Sequence, residues 1–143
     1  MKALLIGLII IAGYASSSSL AADTYLCVVD AMTGFSIDKN TNRWRTTNFT
    51  AEKKVLFTRS KSGKVAWEVT EVGSSLPDAV CEKDFNEGGN LFCSGLGEYK
   101  LNKQQLRFLY VYPFGYWDVD NKSDLFKEGR NTPAMGIGKC SPL

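Results

Sequence analysis

Short runs of β-branched and aromatic residues, each cut off by a cluster of turn-forming residues, recur along most of the chain, a spacing that favours strands over helices. In "KVAWEVTEV" the side chains alternate, with Val65, Trp67 and Val69 on one face and Ala66, Glu68 and Thr70 on the other. A strand with two unlike faces requires this two-residue period. "KVLFTR" precedes it across the turn "SKSG", and "GFSID" and "RWRTTNF" flank "KNTN", so each pair reads as a hairpin. "TYLCVVD" supplies a first strand, "NLFCSG", "GEYKL" and "QLRFLYVY" the middle ones, and "AMGIGKC" the last. The expectation is an all-β domain, a small antiparallel β-barrel or sandwich of about eight strands. One short helix is expected over "SSLPDAVCEKDFNEGG", where Ser and Pro open the segment, Leu76, Val80 and Phe85 are spaced near the helical period, and a Gly pair ends it. "SDLFKEG" is a candidate for one further turn.

The first 22 residues read as a cleaved export signal, with Lys2, an apolar run from Ala3 to Ala15, and small residues before Asp23. The apolar run is shorter than the roughly 18 residues that a membrane-spanning helix needs. Asp23, rather than Cys, follows the expected cut after Ala21 or Ala22, which argues against a lipid anchor. Residues 23–143 are then expected to form a single β domain, periplasmic or secreted, with no stable membrane anchor after cleavage, and monomeric or weakly associating. All four cysteines fall within it, and an even count in an oxidising compartment favours two disulfides over metal ligands. Of the three connectivities, Cys81 with Cys93 closes a short loop, and Cys27 with Cys140 ties the ends of the domain together.

The chain contains no histidine, which excludes Ser-His-Asp and Cys-His catalysis and imidazole metal sites. "SIDK" at 36 to 39 matches Ser-x-x-Lys, but Ser36 lies on an expected hairpin strand rather than at the start of a buried helix. "SGLG" lacks the Lys of a phosphate loop and a helix after it, so its glycines read as turn residues. Asp118, Asp120 and Asp124 do not meet the EF-hand spacing and read as a solvated acidic turn. A formal charge of +2, with both signs mixed along the chain, argues against nucleic acid as a partner. No catalytic residue, cofactor or metal ligand is assigned. The expected activity is therefore non-enzymatic binding of a protein or a small-molecule ligand in the envelope or the medium.

The stretch "YVYPFGYWDVD" divides at Pro113 and Gly115. Phe108 and Tyr110, before the break, read as core; Tyr116 and Trp117, after it, are candidate partner-binding residues. "CVVDAMTGFSIDKNTNRW", "EYKLNKQQLRF" and "IGKCSPL" resemble an uncharacterised family of small exported bacterial proteins, which implies export and a compact fold but no activity. "SGLGEY" resembles the Ser-Gly-x-x-Tyr loop of the periplasmic inhibitors of C-type lysozyme, with one extra residue before the Tyr. That resemblance implies an inhibitor of a lysozyme-like cell-wall hydrolase, with Ser94, Gly95 and Tyr99 as its partner-binding residues. A carrier of a small apolar ligand is the other binding alternative.

Overall fold

A computed structural model describes residues 22–119, 122 and 127–143. The expected export signal falls almost wholly outside these residues, as do residues 123–126 of the second expected helical turn. Nine strands follow in order: β1 (Thr24–Asp38), β2 (Arg43–Phe49), β3 (Lys54–Arg59), β4 (Trp67–Glu71), β5 (Ala79–Cys81), β6 (Asn90–Gly95), β7 (Glu98–Asn102), β8 (Arg107–Tyr112) and β9 (Ala134–Pro142). Every pairing is antiparallel. β3 to β9 pair in sequence, and β1 closes the ring by pairing with both β3 and β9. The result is a closed eight-stranded barrel with β2 outside the ring, hydrogen-bonded to the far half of β1.

One long strand therefore serves two structures. Thr24 to Val28 pair with β3, whereas Met32 to Asp38 pair with β2 as a hairpin that projects past the barrel. A register shift between Val29 and Ala31 marks the change; a bulge of this kind bends and twists a strand. Gly34 is required just beyond it, because a Cβ there would lie 2.1 Å from the Pro133 carbonyl oxygen.

The inward residues follow the two-residue period. Val55 and Phe57, Trp67 and Val69, Leu91 and Cys93, Tyr99 and Leu101, and Phe108 and Tyr110 are all buried. β9 turns the small residues Ala134, Gly136, Gly138 and Cys140 inward, and this leaves room for large neighbours such as Phe108. The barrel interior is thus packed with side chains. Cys27–Cys140 and Cys81–Cys93 are both disulfide-bonded, which points to an oxidising, non-cytoplasmic compartment. On the loop-entropy model they contribute about 5 and about 3 kcal/mol respectively. No helix among the described residues is long and apolar enough to cross a membrane.

The short helix expected between Ser74 and Gly89 does not form; the described residues contain no helix at all. Ala79 and Cys81 are buried on either side of a half-buried Val80, the period of a strand. Between β4 and β6 the barrel needs one more strand to satisfy their backbone groups. Val80 pairs with Glu68 on one side and Ser94 on the other, while Leu76, which a helix would have buried, is exposed. A strand here supplies hydrogen-bond partners for β4 and β6, which a helix would not.

Candidate binding site

The hairpin beyond the barrel is built by local chemistry. Asp38 Oδ1 accepts the backbone N–H groups of Asn40 (2.9 Å) and Thr41 (3.2 Å), and Asn42 adopts the left-handed conformation that Asn tolerates. These N–H groups, helped by Arg45, hold the Asp38 carboxyl below its ordinary value. On the next strand Trp44 stands opposite Ile37, and Thr46 opposite Phe35, so the hairpin presents two aromatic rings on one face.

The segment after β8 turns toward that face. Gly115 has φ 102°, its N–H donates to Asp118 Oδ1 at 2.8 Å, and a Cβ on it would lie 2.3 Å from the Asn131 carbonyl oxygen. This turn sets Tyr116 edge-on against Trp44, with ring centroids 5.4 Å apart, and Trp117 beside Phe114 at 6.4 Å. Trp44 Nε1 donates to Glu128 Oε1 at 3.2 Å, and the Phe35 N–H donates to the Pro133 carbonyl at 3.0 Å. Between hairpin and turn lies an open groove of about 530 Å³, lined by Phe35, Trp44, Pro113, Tyr116, Trp117 and Pro133 with Arg45 at its margin. Trp117 is 70% exposed, Tyr116 64% and Phe35 50%. A groove of this size and lining matches a small-molecule site or the seat of an apolar side chain.

The other candidate residues lie elsewhere. Ser94 and Gly95 are exposed near the end of β6, and Ser94 borders a separate recess of about 370 Å³ with Glu82, Asn90 and Phe92. Tyr99 is 1% exposed inside the barrel, where its hydroxyl donates to Asp78 Oδ2 at 3.1 Å. Burial, and then the neighbouring Tyr110 and Asp78, push the Tyr99 phenol well above its ordinary value. Gly95 and Gly97 allow close packing, against the Asp78 carbonyl and the Tyr110 ring respectively. Ser36 bonds the Thr47 hydroxyl across the hairpin. Asp118 is engaged by Gly115, whereas Asp120 and Asp124 lie outside the described residues.

A polar cluster that sequence reading missed lies at one end of β3. Lys53 Nζ contacts Glu71 Oε2 at 2.6 Å and Asp78 Oδ2 at 3.1 Å, and sits 5.2 Å from the centre of the Tyr110 ring. At the opposite end of β3, Arg59 stacks over Trp67 at 4.7 Å and pairs with Asp84, which also accepts the Trp67 indole N–H at 2.8 Å. Lys53→Met should cost about 2 kcal/mol in chemical denaturation, less than a fully buried pair would because Glu71 is half exposed.

Burial alone would lower the Lys53 pKa, but hydrogen bonds to Glu71 and Asp78 outweigh it and raise the value. A cation whose folded pKa is raised stabilises fully below its unfolded pKa, and the contribution is lost as pH rises through the folded one. Tyr99 and Tyr110, both raised mainly by burial, act in the same direction once the unfolded phenols ionise. Stability should therefore be nearly flat from about pH 5 to 9, where a chain without histidine has little to titrate, and fall above about pH 10. Melts across that range check this, with a shallower alkaline decline expected in Lys53→Met.

No protein-family model, curated protein or solved structure matches the chain.

Proposed function

We propose that this is a small non-enzymatic binding protein of the periplasm or the extracellular medium, and that the groove between the β1–β2 hairpin and the Pro113–Trp117 turn holds an apolar group of its ligand. The exposure of Trp117, Tyr116 and Phe35 around one groove carries this reading. Large aromatic rings left in water at a concave site gain most when a partner covers them. Side chains fill the barrel interior, which favours the groove over the interior as the seat of a small apolar ligand. Inhibition of a cell-wall hydrolase through Ser94 and Tyr99 together would need Tyr99 to leave the core and give up its bond to Asp78.

The test uses residues 23–143 immobilised against an envelope extract of the source cells, with captured species identified by mass spectrometry and their binding followed by tryptophan fluorescence. Trp117→Ala should weaken capture by about thirtyfold, the loss of an interface hot spot. Capture unchanged by Trp117→Ala and by Tyr116→Ala would exclude the groove.

A further inference from the structure

On the outer wall of the barrel, at the end of β8 and β9 remote from the groove, strand register sets three cations in one row. Arg107 on β8 lies directly opposite Lys139 on β9, Lys139 opposite Val28 on β1, and Val28 opposite Lys54 on β3. All three cationic residues are exposed, and none forms an ion pair among the described residues. Like charges directly opposite one another destabilise a sheet, so Arg107 beside Lys139 is a fold cost that no described carboxylate offsets. On β8 and β9 the next two rows are apolar, with Leu109 opposite Ile137, which is 55% exposed, and Val111 opposite Met135, 46% exposed, while β7 places Lys100 beside Leu109 and Glu98 beside Val111. Two acids share the wall. Glu98 is 3.9 Å from Lys100, and Asp30 borders the recess beside Ile137.

We propose that this wall docks on an anionic lipid surface, with phosphate headgroups over Arg107, Lys139 and Lys54, and Ile137 and Met135 entering the boundary between headgroups and acyl chains. Basic side chains beside exposed aliphatic ones are the pattern by which a protein lies on a charged bilayer without crossing it. A fluid headgroup layer can follow both the cationic row and the recess beside Ile137 and Met135, whereas a rigid partner would need a surface matched to both. A headgroup phosphate also relieves the repulsion between Arg107 and Lys139.

Co-sedimentation with vesicles of phosphatidylcholine, alone or mixed with phosphatidylglycerol, tests the proposal. The protein should bind the mixed vesicles only, and more weakly as salt is raised. Each cation near an anionic leaflet strengthens binding about fivefold, so Lys139→Glu, a change of two charges, should weaken it about twenty-five-fold. Its melting temperature should not fall, because the substitution removes the like-charge pair. Ile137→Ser should weaken binding while leaving its salt dependence unchanged. Equal binding to both vesicle types, or no effect of Lys139→Glu, would overturn the proposal. Equally tight binding of soluble polyglutamate, indifferent to Ile137→Ser, would also overturn it and assign the wall to an acidic protein.

Discussion

Phe108→Ala is expected to cost about 3 to 5 kcal/mol of folding stability, while Trp117→Ala should stay within about 0.5 kcal/mol of the parent. The two residues are nine positions apart in one aromatic-rich stretch, yet their surroundings are opposite. Phe108 is 4% exposed, edge-on to Phe57 at 6.4 Å between centroids, and surrounded by strands that cannot collapse into the space it would leave. Trp117 is 70% exposed and has little packing to lose. Chemical denaturation of both variants checks the contrast. A Trp117→Ala protein as unstable as Phe108→Ala would mean that its ring supports the fold, and its role in binding would then need separate proof.

Gly138→Ala should also be poorly tolerated, costing about 3 kcal/mol, at the upper end for an overpacked core. The added Cβ would lie 2.1 Å from the Val28 carbonyl oxygen and 2.4 Å from the Phe108 ring. The ring can shift, but the carbonyl belongs to the strand that closes the barrel. Gly136→Ala, two residues earlier on the same strand, supplies the control. Its Cβ would meet nothing nearer than Val29 at 3.4 Å, so its melt should stay within about 0.5 kcal/mol of the parent. Equal effects at the two glycines would show that β9 responds to loss of backbone freedom rather than to the close approach of β1.

Much of the barrel was legible because buried strands write their alternation locally. Both hairpins, the shared face of Trp67 and Val69, and the burial of Phe108 and Tyr110 follow from spacing in single segments. The short β5 was misread because Leu76, Val80 and Phe85 imitate a helical face, while the need for a strand there arises from β4 and β6, which no local window contains. The unbroken course of β1 through "DAMTG" was hidden for a related reason: beyond the bulge this strand has no fully buried side to impose a pattern.

The groove was half legible. Tyr116 and Trp117 announced themselves beside Pro113 and Gly115, but Phe35, Trp44 and Pro133 join them only through the β1–β2 and β1–β9 pairings. One local signal was present. Trp44 sits between two arginines on a strand otherwise made of polar residues and Phe49, a poor environment for a core tryptophan and a reasonable one for a surface ring. The Lys53 cluster had no such signal, since its partners come from β4 and from the residue before β5.

The seam between β1 and β9 also sets a schedule. A chain is made from its N-terminus, and pairings distant in sequence form late and slowly. β1 is the first strand to exist, yet one of its neighbours is the last, so its open side must wait for almost the entire domain. Cys27 waits with it, because its partner Cys140 lies 113 residues downstream. During that interval the thiols of Cys81 and Cys93 are already present and are the wrong partners for it. Their own bond spans only 12 residues, so it can close before Cys140 arrives and thereby remove both competitors. The short disulfide thus protects the long one from mispairing, a service to assembly distinct from its contribution to the finished barrel.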